Sequence, residues 1–188
     1  MKSIDVLLLS QKDMIALSLA TVDVVAALEQ ALYAHAQGAY EMQPKIGVHP
    51  AKTGPANFIH AMPAYLPQQD ACGLKWVGGF MRNRSLDLPT ISGLQLLNDS
   101  ATGLPLAVMD CSYLTALRTS AISMLFVREC ARKPVKSLAV VGCGVEGTMH
   151  LQVLVEQFPH IEEIRLHSKR PAAMREIKAL MRDTFWGR

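Results

Sequence analysis

The sequence predicts an α/β protein in which a sheet-rich antiparallel segment precedes a parallel strand–helix unit. Three observations carry this. Ser137 to Val141 is a short apolar, β-branched run of the kind that forms a buried parallel strand. It opens into Gly142-x-Gly144-x-x-Gly147, after which Thr148 to Phe158 reads as a helix with Met149, Leu151, Val153, Leu154 and Val155 as its apolar content. Upstream, from Met42 to Asp110, short strand-like runs are divided by Pro, Gly and Asn without helical spacers, the texture of an antiparallel sheet.

Taken in order, Ile4 to Leu9 is a candidate strand and Gln11 to Leu19 a short helix. Thr21 is placed to cap a longer helix from Val22 to Gln37, with Val24, Val25, Leu28, Leu32 and Ala36 at helical spacing and Gly38 as its C′ glycine. Lys45–His49, Asn57–Met62, Gly73–Gly78, Thr90–Asn98 and Leu106–Met109 are the expected strands, the last two joined by a hairpin-like loop over Asn98 to Gly103. Tyr113 to Ala131 reads as a helix that ends before Pro134. A second parallel strand is expected at Ile164–His167, and a second helix from Pro171 to about Thr184.

Composition narrows the function classes. A net charge of +3, with no basic run or aromatic–basic alternation, gives no footprint for nucleic acid. The amino-terminal apolar run is too short for a secretory signal, and no stretch is long enough to span a membrane. The four cysteines form no CxxC pair and read as reduced thiols of a cytoplasmic protein. The six histidines show no metal-ligand spacing, so no metal is expected.

Strand, glycine turn and helix together form a dinucleotide-binding pattern. Gly142 permits the tight turn, Gly144 lets backbone N–H groups approach a pyrophosphate, and Gly147 lets the helix lie close to the strand. The helix start at Gly144-Val145 then faces a diphosphate with its positive dipole end. A glycine turn with no ligand is the alternative.

Lys75 lies in Gly73-Leu-Lys-Trp-Val77, a strand fit for burial on both faces, and Arg118 near the start of an apolar helix, with no acid close in sequence to either. A buried cation needs a partner, and a carboxylate ligand would supply one to both. The alternative is that Lys75 reaches the surface and Arg118 pairs with a distant acid.

Gly73-Leu-Lys-Trp-Val77, Leu88-Pro-Thr-Ile-Ser-Gly93, Leu97-Asn-Asp-x-x-Thr-Gly-x-Pro-Leu-Ala107, Met109-Asp110, Ala116-Leu-Arg-Thr119 and the glycine turn occur in this order along the chain. Together they resemble the ornithine cyclodeaminase/μ-crystallin family, from about the first helix to the last residues. The resemblance implies a mixed-sheet substrate-binding and dimerisation domain over residues 1–132. It also implies the first half of a Rossmann-type NAD(P)-binding domain over 136–188. It further implies a homodimer, an active site in the crevice between the domains, and hydride transfer at the α-carbon of a small amino or imino acid. Ornithine to proline plus ammonia is the type reaction; ketimine reduction and alanine dehydrogenation are variants.

By motif, Lys75 and Arg118 are expected to hold and polarise the substrate at its α-carboxylate and developing imine. Lys45 matches another substrate contact, although a lone basic residue on an edge strand is also at home in solvent. Thr90 and Thr119 match positions near the cofactor, where ordinary strand and helix hydroxyls would look the same. Two departures stand out. His60 occupies a position where family cyclodeaminases tend to have Glu and alanine dehydrogenase-like members Arg, which weakens the reading for ornithine. Family proteins are also considerably longer. The resemblance places an acid/base aspartate and the nicotinamide half of the fold beyond Arg188, so a truncated, non-catalytic remnant that only binds ligand is the rival expectation. An exposed parallel edge and self-association would follow from a missing neighbour strand.

NAD enzymes place an acid at the end of the second strand for the ribose 2′-OH. Here Glu162 and Glu163 precede that strand, and His167-Ser168-Lys169-Arg170 follow it. A hydroxyl and two cations suit a 2′-phosphate, so NADP(H) is expected over NAD(H); a basic solvated loop is the alternative.

Overall fold

In the computed structural model, residues 3–183 are described; Thr184, the expected end of the last helix, lies outside them, as do Met1 and Lys2. The chain divides into two compact units. The first takes in the chain up to Leu19 and Gln30–Leu114; the second takes in Ala20–Glu29 and the chain from Thr115 onward.

The first unit is built on a six-stranded mixed sheet. Its strands are β1 (Leu7–Leu9), β2 (Ile46–Val48), β3 (Phe58–Leu66), β4 (Ala71–Gly79), β5 (Ile91–Asn98) and β6 (Pro105–Asp110), in spatial order β1-β6-β5-β4-β3-β2. From β2 to β6 all neighbours are antiparallel, as the turn-divided texture predicts, and β1 joins β6 in parallel. Short 3-10 turns at Ala51–Thr53, Pro67–Gln69 and Met81–Leu86 link some of the strands. Ser10 and Asp13 form a capping box that starts helix α1 (Gln11–Ala16), each side chain bonding the other's backbone N–H.

Residues directly opposite in a ladder share a face, so the register sorts the side chains. One face receives His60, Val77 and Gly93 in one row, and Met62, Lys75 and Gln95 in the next. The other receives a row running across four strands, Ile46–Ala61–Trp76–Leu94. Val77 and Gly79, on the first face, are buried; Ile46, Trp76 and Leu94, on the second, are exposed.

Helix α2 (Thr21–Ala36) contributes its first residues to the second unit. Thr21, expected as its cap, lies inside the first turn instead, and its hydroxyl donates to Glu156 Oε2 at 2.8 Å. Gly38 has φ of +68°, the left-handed conformation that suits glycine just past a helix end. The second unit continues with α3 (Ser112–Cys130, from Thr115), β7 (Ser137–Val141), α4 (Val145–Gln157), β8 (Glu163–His167) and α5 (Pro171–Met181). β7 and β8 are parallel, with Ser137 opposite Glu163 and Val141 opposite His167. Val140, Cys143, Leu151, Val155, Ile161, Ala173, Ile177 and Met181 form one buried cluster, with Leu138, Ile164 and Leu166 packed against it. This is a strand–helix–strand–helix unit with parallel strands, the repeating unit of doubly wound sheets. Among the described residues β7 pairs only with β8, and Val141 is 81% exposed. The four cysteines form no disulfide, and no described helix is long and apolar enough to cross a membrane.

Candidate functional site

The glycine turn has the geometry its spacing predicts. Gly142 has φ of +107°, a conformation L side chains rarely adopt, and its N–H donates to His167 O at 2.8 Å. This bond ties the turn to the end of β8. A Cβ on Gly147 would fall 1.8 Å from Gly142 O, so only glycine lets α4 lie against the turn. Gly144 is different. It is the N-cap of α4 in extended backbone, no side chain caps it, and a Cβ there would meet nothing nearer than Arg170 Nη2 at 3.9 Å. Thr148 N–H donates to Gly144 O at 2.9 Å, so the helix begins at Val145, one turn before the expected Thr148. The glycines hid this first turn, because glycine is a poor helix former read out of context. The result is a helix start without a side-chain cap and beside open space, which fits a diphosphate, since the first-turn N–H groups of a helix have no partner within it.

The end of β8 closes the other side of this turn. Arg170 Nη2 reaches Cys143 O at 3.5 Å, and Ser168 Oγ accepts from Arg170 N–H at 3.1 Å; Lys169 is exposed. The nearby acids are engaged elsewhere: Glu162 with Lys136 Nζ at 2.9 Å, and Glu163 with Arg165 Nε at 2.8 Å. Hydrogen bonding from Arg165 holds the Glu163 carboxyl below its ordinary range.

Arg118 stands in the second turn of α3 and is exposed, not buried as its apolar surroundings in sequence predict. The buried stripe of that helix is Ala116, Leu117, Ser120, Ala121, Met124 and Leu125, a 3.6-residue period that leaves position 118 outside. Next to it, the Thr119 hydroxyl donates to Thr115 O at 2.6 Å. Thr90, in the first unit, is half-buried just before β5, and its carbonyl accepts from Phe80 N–H at 2.8 Å.

On the sheet of the first unit, Lys75 is half-buried on β4 and opposite Met62, which lies two residues from His60 on the same face of β3. His60 is opposite Gly47 of β2, and a Cβ at 47 would fall 2.4 Å from Ile59 O and 2.5 Å from His60 Cδ2, striking main chain and imidazole alike. The His60 ring stacks on Phe58 (centroids 4.4 Å apart) and meets His49 edge-on at 6.0 Å. Desolvation first, then the charges of Lys45 and His49, pushes the His60 pKa down and favours the neutral ring. The structure thus gathers His60 and Lys75 on one face, with Lys45 exposed at the start of β2 and felt by His60. Strands β2 to β5 contain no acidic residue. Gly47, His49 and Phe58 were not singled out from the sequence; strict alternation from His60 across β2 and β3 is the signal that would have found them. Among the described residues, no group of three or more His, Cys, Asp or Glu is placed to hold a metal ion.

Comparison with known proteins adds to this geometry. The family described as "Ornithine cyclodeaminase/mu-crystallin family" matches residues 5–185. The chain is 42% identical over 154 residues to the nodulation efficiency protein NfeD of Rhizobium meliloti, covering 82% of this chain and 47% of that one. Its fold superposes with a TM-score of 0.89 on Thermococcus litoralis Δ(1)-pyrroline-2-carboxylate reductase solved with NADH and L-proline, at 29% identity, over 96% of this chain and 55% of that one. It also superposes on an archaeal alanine dehydrogenase dimer with bound NAD, with a TM-score of 0.86 and 32% identity, over 95% of this chain and 53% of that one. The chain spans about half the length of each of these proteins.

Proposed function

Because the chain belongs to the ornithine cyclodeaminase/mu-crystallin family, we propose that it serves NAD(P)-dependent hydride transfer at the α-carbon of a small amino or imino acid. The observation that carries this is the glycine turn, where close packing at Gly147 and open space at Gly144 leave an uncapped helix start for a diphosphate. The nicotinamide cofactor would supply and accept the hydride. The chain's own residues would bind and orient: the turn holds the diphosphate, while Lys75 and Arg118 grip the α-carboxylate, the guanidinium with its two-pronged donor set. Thr90 and Thr119 would stand near the cofactor.

The assay is turnover and binding with the 188-residue chain. Proline formed from L-ornithine without net NADPH consumption identifies a cyclodeaminase. Net NADPH consumption with a cyclic imino acid or with pyruvate plus ammonia identifies a reductase or an alanine dehydrogenase-like enzyme. Saturable binding of NADPH and L-proline without turnover identifies a ligand-binding protein, and absence of both binding and turnover overturns the proposal.

One observation favours the reductase or dehydrogenase reading over the cyclodeaminase. Lys75 and His60, flanked by Lys45 and His49, share a face with no acid on strands β2 to β5. A second ammonium group, such as that of ornithine, would meet cations and neutral imidazole there. L-Norvaline, the neutral counterpart, is therefore expected to bind at least about tenfold tighter than L-ornithine in calorimetry, a difference of about 1.4 kcal/mol.

We also propose NADP(H) as the preferred cofactor. The support is the run Ser168-Lys169-Arg170 closing on the glycine turn, with both nearby glutamates paired to other cations. Arg170→Ala should weaken NADPH binding about tenfold while changing NADH binding little, since a charged hydrogen bond is worth roughly 1.5–3 kcal/mol. Tighter binding of NADH than NADPH by the unsubstituted chain would refute the preference.

The row Ile46–Ala61–Trp76–Leu94, exposed at all but the half-buried Ala61, supports a homodimer, as a contiguous apolar face on a sheet calls for a partner. Light scattering is expected to give twice the chain mass for the unsubstituted protein and the chain mass for Trp76→Glu.

A further inference from the structure

The contacts of His150 have no part in the reading above. This residue sits in the second turn of α4, its side chain 23% exposed, and its ring touches two hydroxyls of α3. Nδ1 lies 3.0 Å from Ser120 Oγ and Nε2 2.9 Å from Ser123 Oγ, while Nδ1 also lies 2.7 Å from Glu146 O. A carbonyl can only accept, so Nδ1 is assigned the proton, and in the neutral ring Nε2 accepts from Ser123. Ser120 is fully buried and donates to Ala116 O at 2.9 Å; Ser123 also approaches Thr119 O, at 3.3 Å. Of the two glutamates on the ring's own helix, Glu146 places Oε2 3.9 Å from Nδ1, and Glu156 accepts from Thr21.

Two hydroxyls three residues apart lie on one side of a helix, so a ring that binds both fixes how that helix is turned about its axis. Arg118 precedes Ser120 by two residues, which puts it roughly 200° round α3 and hence on the side away from α4. The helix that holds His150 is the one that starts directly after the glycine turn, with Gly144 as its N-cap. We propose that His150 is a positioning residue: it sets the rotation of α3 against α4 and so fixes the direction in which Arg118 is presented relative to the nucleotide turn. This rests on the reading of Arg118 as a carboxylate-binding residue.

The test is a double-mutant cycle on the full chain, with L-proline and ADP-ribose as probes in calorimetry. His150→Leu is expected to weaken L-proline binding about tenfold, since a misplacement of about 1 Å can cost up to ~100-fold. In the Arg118→Ala background the same substitution should change it less than about twofold, because the two residues act as one unit. ADP-ribose binding should stay within about twofold, as the turn is built locally. Should His150→Leu not fold, Ser123→Ala, which removes one of the two hydroxyls, is carried through the same cycle with the same coupling expected. An equal loss in both backgrounds, no loss in either, or a parallel loss of ADP-ribose binding overturns the proposal while leaving the role of Arg118 intact. Failure of Arg118→Ala to weaken L-proline binding, or no L-proline binding by the unsubstituted chain, overturns the function and this proposal together.

Discussion

Gly147→Ala is expected to destabilise the second unit by about 3 kcal/mol, because overpacking against backbone has no cheap relief. The added Cβ would stand 1.8 Å from Gly142 O and 3.0 Å from Gly142 C, both main-chain atoms of the turn itself. Either α4 moves off β7 or the turn opens, and both separate Leu151 and Val155 from Val140 in the buried cluster. Urea unfolding followed by circular dichroism measures the loss. Gly144→Ala is the matched control, and its expected behaviour is the reverse. Its backbone is extended and its surroundings are open, so stability should fall by less than about 1 kcal/mol, the cost of a poorer N-cap. Its new methyl group would occupy the approach to the helix start, and NADPH affinity should drop by at least about tenfold, or 1.4 kcal/mol. If the two variants lose stability and binding in the same proportion, the turn is a packing device only.

Lys75→Met and Arg118→Met are each expected to remove about 1.5–3 kcal/mol of binding to a carboxylate probe, the worth of a hydrogen bond to a charged group. Calorimetry with L-proline reads this as roughly a 10- to 150-fold weaker Kd. Arg118 is exposed and Lys75 half-buried, so neither change should disturb folding much. Arg118→Lys should recover only part of the affinity, since an ammonium lacks the planar fork that matches a carboxylate. Unchanged affinity in both methionine variants would remove these residues from the site.

The sequence was most informative where local chemistry alone decides the conformation. The glycine turn, the strand at Ser137–Val141 and the hairpin between β5 and β6 follow from residues within a dozen positions of each other. Legibility declined where the outcome depends on a neighbour far along the chain. Thr21 has the composition of a cap, yet its hydroxyl is claimed by Glu156, 135 residues on. Arg118 looked buried because its neighbours in sequence are apolar, but burial in a helix is decided by angle, and that residue falls outside the stripe. Lys75 looked buried for a related reason. Its flanking Trp76 points to the opposite face, where it is exposed, so an apolar strand was read as one covered on both sides. The stack of His60 on Phe58 and its contact with His49 need the pairing of β2 with β3, which no short window of sequence contains.

The bare backbone of Gly47 beneath the His60 imidazole has an implication for how such a protein could diversify. A side chain at 47 would meet the main-chain Ile59 O as well as the ring, its Cβ falling 2.4 Å from the one and 2.5 Å from the other, so no change at 60 alone makes room for it. Specificity at 60 is open to single substitution while 47 stays glycine, and across lineages glycine at 47 should persist whatever residue stands at 60. In laboratory evolution, substitutions at 60 should be accepted in this background while those at 47 are rejected in every background, a constraint set by a neighbouring strand's main-chain oxygen.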